Sequence, residues 1–599
     1  MMSFLKKRKL LLTLLFLGGL FIVLSTHVLA AEVGEKVNFF VDPSYDWKSR
    51  TQVSATLKNI STKAYFYIED EYWGSFSALE QTSYLESIIN LAKEFDNTIY
   101  PSSHYIFGSE WDPGIDNDSK ITILLTNIKS TAGGYFNSKD EIPKSDESTS
   151  NEKEMLYINA TQIDNPLMKS FIAHEFQHLI TWNEKERIRG LVEEVWLNEL
   201  RSEYAPTAAG YDSVYSGTNL ERRVSDFLAN PFNSLTEWKG DRFDYPPVNL
   251  LGHYLAEQFG EGIFSSMLFN NKIGIFSVEQ ALQDKGFNFS QVFNNWTIAS
   301  YLNNSSLSDG RYSYKNPYLK GTVNVSPIDY SIVSTSIINI AQNIKDWAPY
   351  WYRFINKQDA GTIAKDLELE FQGSTDKSNF NVIYIIEYFS KPTVINYLVL
   401  SGQKGILKIP NFKDDVDSVT IIISNQFKRS GFDTNGTAVP FTLAVATTVF
   451  EEPVAEPQPE PAPTPSGMAR PENYGLKEGD LIRAQGDFDV FIISQYGYKR
   501  LFLNPTIFNM YGHLTGGWKA VKTVSPATRD AFITSNLYRY VDSPKVYFLE
   551  VTGGDIGILH WVNMTADSFL TQGGKPESIF IINKSEFNWY PKGTDKTVL

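Results

Sequence analysis

Residues Glu451 to Pro465 read EEPVAEPQPEPAPTP, and a stretch built almost entirely from proline, glutamate and alanine cannot sit inside a core. Proline lacks the N–H that a helix or a sheet ladder needs, and the carboxylates must stay in water. Such a segment is an extended spacer of about 3 Å per residue where it adopts polyproline II. A chain of 599 residues interrupted this way has to fold as separate bodies. The expected organisation is a leader at 1–30, an α+β domain at 31–304, a β-sandwich at 305–450, a linker at 451–470 and a β-rich region at 471–599.

Composition removes several classes of function. There is no cysteine, which excludes disulfide scaffolds, thiolate metal sites and cysteine nucleophiles. The formal net charge of −15 argues against nucleic acid as a partner, because phosphate binding needs a basic footprint. At the start, Lys6, Lys7, Arg8 and Lys9 precede an apolar run from Leu10 to Leu24, with Val28 and Ala30 placed for cleavage before Ala31. This is the pattern of a signal peptide, so a secreted or cell-surface protein is expected, meeting the membrane only through the cleaved leader.

Between Ala31 and Asn304 strand-like and helix-like patterns alternate. Ala64 to Glu69 and Ile121 to Leu125 read as strands, and Leu156 to Asn159 as another. Ser77 to Phe95 places Leu79, Leu85, Ile88, Ile89, Leu91 and Ala92 on one broad helical face. From Ser305 the helical period gives way to short β-rich runs (367–371, 382–388, 395–400, 419–424 and 441–445), as a sandwich requires. Beyond the spacer, Leu481-Ile482-Arg483 recurs as Leu537-Tyr538-Arg539, and Val490-Phe491 as Val546-Tyr547, at an offset of about 56 residues. Two similar β-rich modules packed together are expected, resembling small repeats on exported bacterial surface proteins. Cell-surface or glycan contact through 471–599 is the partner they suggest.

The chemistry is concentrated in Phe171-Ile-Ala-His174-Glu175-Phe-Gln-His178-Leu-Ile, an H-E-x-x-H pattern with apolar neighbours. Histidines four apart lie one turn apart on the same helix face, so both imidazoles can reach one zinc ion at about 2.0–2.1 Å. Glu175 projects beside them, where a carboxylate can take a proton from a bound water. A third protein ligand is needed. Glu184 stands six residues after His178, where a metzincin would have histidine, which excludes that arrangement. The helical segment Trp196-Leu197-Asn198-Glu199-Leu200-Arg201-Ser202-Glu203 offers Glu199, with Glu203 one turn further on the same face. Glu193 and Glu194 are rival ligands.

These residues resemble the gluzincins, the thermolysin-containing metallopeptidase clan defined by H-E-x-x-H and a glutamate on the next helix. The thermolysin-like pattern N-E-x-x-S-D is matched by Asn198-Glu199-Leu200-Arg201-Ser202-Glu203, with Glu in place of Asp. The resemblance implies a two-lobed zincin-type catalytic domain, Glu199 as third zinc ligand, and Glu203 with Asn198 around the ligands, Glu203 accepting the far N–H of His174. Trp196-Leu197-Asn198-Glu199 is also similar to gluzincin aminopeptidases and to hyicolysin-type secreted bacterial peptidases. The latter are favoured because no G-x-M-E-N motif is present. The likeness spans about residues 60 to 300.

The expected function is a secreted zinc endopeptidase acting on protein or peptide substrates, with Glu175 as general base. The alternatives are a zinc aminopeptidase and a non-catalytic adhesion protein with a vestigial peptidase fold. Tyr245 is the expected donor to the developing oxyanion, with His253 and Tyr211 as rivals. Leu156 to Asn159 is expected to be the edge strand that pairs with substrate, beneath Gly133-Gly134-Tyr135-Phe136. A calcium ion is considered at Asp112, Asp116 and Asp118, although the EF-hand spacing is absent. Lys185, Arg187 and Arg189 are expected on a solvated face.

Overall fold

Side-chain alternation along six strands builds the first layer of the amino-terminal body. The computed structural model describes residues 31–129, 132–332, 337–357, 366–448, 468–511, 517–540, 543, 545–553 and 556–599. The leader at 1–30 and the spacer up to residue 467 lie outside the described residues. The molecule is a multidomain α+β protein whose chain divides into two compact bodies, on either side of residues 449 and 450.

In the first body, β1 (Lys36–Phe40), β2 (Gln52–Ile60), β3 (Ala64–Glu69), β4 (Ile121–Thr126), β5 (Gly134–Phe136) and β6 (Met155–Asn159) form one sheet in the order β1-β2-β3-β4-β6-β5. The strands β3, β4 and β6 run parallel, whereas β1, β2 and β5 pair antiparallel with their neighbours. The sheet thus begins well before Ala64, the first strand legible in the sequence. In β2 only Val53, Ala55 and Leu57 alternate inward among polar residues, a thin signal.

One face of this sheet (Phe66, Ile68, Ile123, Leu125, Leu156 and Ile158) enters the main core; the other, with Tyr65, Tyr67, Leu124 and Tyr157, covers a smaller cluster. After the short turn α1 (Asp70–Trp73) comes α2 (Ala78–Glu94), fixed at its start by a reciprocal Ser77–Glu80 capping box. It buries Tyr84, Ile88, Leu91 and Ala92, but Leu79 is 82% exposed, so the buried face is narrower than the periodicity predicts. The helices α3 (Tyr100–Phe107) and α4 (Met168–Thr181) complete that layer.

The rest of this region is helical: α5 (Val195–Ala208), α6 (Asn219–Ala229), α7 (Tyr245–Phe259), α8 (Gly262–Phe269), α9 (Gly274–Leu282) and α10 (Phe289–Leu302). Strands then return as β7 (Ile328–Ile332), β8 (Ile337–Ile344), β9 (Pro349–Asn356), β10 (Asp366–Gly373), β11 (Phe380–Tyr388), β12 (Val394–Tyr397), β13 (Lys404–Ile409), β14 (Val416–Asn425) and β15 (Val439–Thr448). They form two sheets, β13-β10-β15-β8 and β12-β11-β14-β9-β7, that enclose their own apolar cluster. Alternate residues of the second sheet point the other way. Trp351, Ile383, Ile385 and Ile422 join the main core, and Trp351 Nε1 donates to the Thr297 carbonyl of α10 at 3.2 Å. The strand layers and the helices therefore share one core.

The second body repeats one pairing scheme. Leu481–Ala484 pairs antiparallel with Phe491–Ile493 and parallel with Lys522–Val524. Leu537–Tyr540 likewise pairs antiparallel with Val546–Gly553 and parallel with Phe580–Ile582. Leu481, Val490, Phe502, Tyr538, Leu549 and Ile582 belong to one cluster drawn from both halves. Among the described residues no helix is long and apolar enough to cross a membrane.

Candidate metal centre

Helix α4 buries Ile172, Ala173, Phe176, Leu179 and Ile180, and this apolar contact orients the opposite side of the helix toward α5. His174 and His178 lie on that side, and across from them α5 presents Glu199. His174 Nε2 is 3.2 Å from His178 Nε2 and 3.2 Å from Glu199 Oε2. His178 Nε2 is 3.7 Å from Glu199 Oε1. Among the described residues this is the group of three or more metal-competent side chains whose ligand atoms come together, all within 4.8 Å of one another.

The other ring nitrogens are held from behind. His174 Nδ1 is 3.6 Å from Glu203 Oε1, and Glu203 is itself gripped by Arg223 through two bonds of 2.7 and 2.6 Å, with Asn219 Nδ2 at 3.1 Å and Asn249 Nδ2 at 3.3 Å. Burial alone would raise the Glu203 carboxyl, but the Arg223 guanidinium outweighs it and holds the pKa at about 2. His178 Nδ1 meets the Ser202 hydroxyl at 3.0 Å, and Ser202 also bonds Gln177 Oε1 and the Asn198 carbonyl. Asn198 also interacts with His178 through its side chain. Ser202 stands in the N-E-x-x-S-D-like run from Asn198 to Glu203, where the sequence assigned it no role, and no spacing signal points to Arg223. Arg223 comes from a helix remote in sequence.

Protonation reflects the crowding of Nε2 against Nε2. Burial would lower the His174 pKa, but the hydrogen bond and charge of Glu199 carry it up to about 9. Burial pushes His178 down to about 4; Glu199 opposes the shift, whereas His174 adds to it. One proton at most occupies the space between the rings. Glu199 Oε2 is buried and, apart from the His174 ring 3.2 Å away, receives no hydrogen bond. Two imidazole nitrogens and a buried carboxylate oxygen facing one point are a donor set that fits zinc. Burial pushes Glu175 up to about 7, with His174 opposing, and the Phe136 N–H donates to its carboxylate.

The rival ligands point elsewhere. Glu193 bonds Arg201 at 3.1 Å and the Gly274 N–H at 2.8 Å, while Glu194 receives Trp196 Nε1 at 2.7 Å and the Gly431 N–H at 2.8 Å. Tyr245, at the start of α7, lies under the Arg223 guanidinium at 4.3 Å and edge-on to Trp238. Its hydroxyl pKa is raised by burial and then by Glu199, Glu203 and Glu175, which places it in the field of the centre. His253 instead packs against Tyr204 and Thr207, and Tyr211 bonds Glu94 at 3.0 Å.

Three expectations need correction. The strand β6 is internal, between β4 and β5; all five of its residues are buried, and the edge beside α4 belongs to β5. Gly134 makes that close approach: a Cβ there would lie 2.7 Å from the Tyr157 carbonyl oxygen and 3.1 Å from Glu175 Cγ. Lys185 is not solvated. It lies in the π-helical turn Trp182–Arg187 that prolongs α4, and its Nζ bonds the carbonyls of Asn270 and Lys272. Arg189 bonds the Phe269 carbonyl and Glu184, and Arg187 covers the Trp111 ring. In the loop considered for calcium, Asp112 is exposed, Asp116 pairs with Lys153 at 2.9 Å, and Asp118 accepts from Tyr65 at 2.7 Å, so the three carboxylates face different partners.

No family model matches the chain, and no curated protein matches it. Among solved structures, the mitogen of Yersinia pseudotuberculosis is similar at 10% identity with a TM-score of 0.14, covering 19% of this chain and 87% of that one. The pre-peptidase C-terminal domain of collagenase from Bacillus anthracis is similar at 11% identity with a TM-score of 0.14, covering 20% of this chain and 98% of that one.

Proposed function

We propose that this chain is a secreted zinc-dependent endopeptidase with a zincin-type catalytic region, in which α4 lies between a strand lobe and a helical lobe. The observation that carries the reading is the convergence of His174 Nε2, His178 Nε2 and Glu199 beside Glu175. His174, His178 and Glu199 would hold the zinc, which supplies Lewis acidity toward a peptide carbonyl and toward water. Glu175 accepts a proton from the attacking water and returns it to the leaving amine. Its pKa of about 7 suits both transfers near neutrality. Ser202 and the Glu203–Arg223 pair fix the two imidazoles from behind. The free edge of β5 pairs with an extended peptide backbone. Tyr245 donates to the carbonyl oxygen as it gains charge.

The test is Glu175→Gln. This variant should retain zinc by metal analysis while its hydrolysis of a casein-type substrate falls by about 10³-fold or more. Hydrolysis within a few-fold of wild type would remove Glu175 as the base.

A further inference from the structure

A row of stacked rings runs across β6 and β5 and continues past the open edge of the sheet. Tyr135 and Tyr157 face each other across the two strands, their rings 4.3 Å apart and 6° from parallel. Tyr135 also stacks on Tyr45, at 4.6 Å and 17°. A ring has two faces and Tyr157 occupies one, so Tyr45 stands off the open edge, about one strand spacing beyond Tyr135. It belongs to the connection between β1 and β2. Its carbonyl accepts the Lys129 N–H at 2.9 Å, the Trp47 N–H donates to the Asn127 carbonyl at 3.3 Å, and the Asp42 N–H donates to the Tyr135 hydroxyl at 3.1 Å. Asp46 beside it is buried and paired with Arg50 at 2.7 Å. The backbone on both sides of Tyr45 is therefore tied down, while the residue remains 40% exposed.

The pairing of β5 decides what meets that ring. The Gly133 carbonyl accepts the Asn159 N–H at 2.9 Å, so Tyr135 two residues on also bonds inward to β6, and Gly134 and Phe136 turn their backbone groups outward. An extended peptide added to this edge bonds the outward groups of Gly134 and the Phe136 carbonyl. Its residue directly opposite Tyr135 then points to the face of the sheet that carries the tyrosine row. Tyr45 already fills that place. Glu175 lies against Gly134 and accepts the Phe136 N–H, so the peptide residue concerned is close to the bond being cleaved. The Tyr45 hydroxyl pKa is raised by burial and then by the charges of Glu175, Asp42 and Glu199, as expected of a ring at the rim of the same centre.

We propose, on the peptidase reading above with β5 as the strand that receives the peptide, that Tyr45 determines specificity: its ring fills the side-chain slot opposite Tyr135 and limits the substrate there to glycine or alanine. A larger side chain must either displace a stacked ring whose backbone is held or draw the peptide away from β5 and Glu175.

Cleavage profiles of the full chain, of Tyr45→Ala and of Tyr45→Phe on a randomised peptide library provide the test. Wild type should show one position close to the cleaved bond where glycine and alanine exceed leucine and phenylalanine by about 10-fold or more in kcat/KM. Tyr45→Ala should cleave the peptides with large residues there faster, bringing that ratio to within about 3-fold, and leave the preferences at other positions unchanged. Tyr45→Phe keeps the ring and should keep the preference. The same profile in wild type and Tyr45→Ala would overturn the proposal. So would a wild-type profile with no small-residue position, or with a preference for aromatic residues stacked on Tyr45, and neither result needs the variants. No cleavage of any library peptide by wild type would instead overturn the peptidase reading, and this assignment with it.

Discussion

Glu175 and Glu199 are carboxylates set against the same imidazoles, yet their surroundings divide the work between them. Glu199 is drawn below its usual pKa because the charges of His178 and His174 outweigh its burial, which suits a ligand that stays ionised. Burial dominates at Glu175 and keeps it able to take up and release a proton. Glu199→Ala should release the metal. Glu193→Ala should keep it and instead lose about 3–5 kcal/mol of stability, because Arg201 is fully buried and Glu193 is its ion-pair partner. Metal content and urea unfolding of the two variants check both outcomes. The pair His174 and His178, and the one-turn step from Glu199 to Glu203, were legible because helical periodicity alone places them. Arg223 was not, because the contact of α6 with α5 is set by packing across the core and leaves no trace in local spacing.

At the scale of elements, β5 depends on what glycine lacks. Gly134→Ala would drive a methyl group into the Tyr157 carbonyl and toward Glu175, so β5 must shift. The expected result is unchanged zinc content with kcat/KM lowered by about 10-fold or more. The sequence read Gly133-Gly134 as cleft lining and β6 as the edge, because a three-residue strand is too short to show a period. Helix α7 carries a test of pH dependence. Burial pushes His253 down to about 4, against an ordinary 6.5, and it faces Glu203 as well as Thr207, whose hydroxyl is bonded to Asp212. A depressed histidine takes up its proton first in the unfolded chain. Its contribution is therefore whole above about 6.5 and is lost as the pH falls toward about 4. His253→Gln should show a shallower loss of stability across that window, by up to about 1.4 kcal/mol per pH unit, in denaturant midpoints measured on both proteins.

Across the whole molecule, the boundary written most plainly in the sequence is the proline-rich spacer, because composition alone declares it. The step near residue 305 showed in the sequence as a change of period, and the chain does not divide there: residues up to 449 form one compact body. The helices and the sandwich share a core through Trp347, Trp351, Ile383, Ile385 and Ile422, and side chains facing outward from a sandwich look in sequence like an ordinary second apolar face. A chain of residues 31–449 should fold and hydrolyse substrate, whereas one ending at 304 should be insoluble or molten by near-ultraviolet dichroism. Truncating even one such tryptophan costs about 3–5 kcal/mol, set against a typical total of about 5–15. In a screen that scores only turnover, a lesion at Trp351 would thus be indistinguishable from one at Glu199. Soluble yield, not rate, is the quantity that tells the two apart.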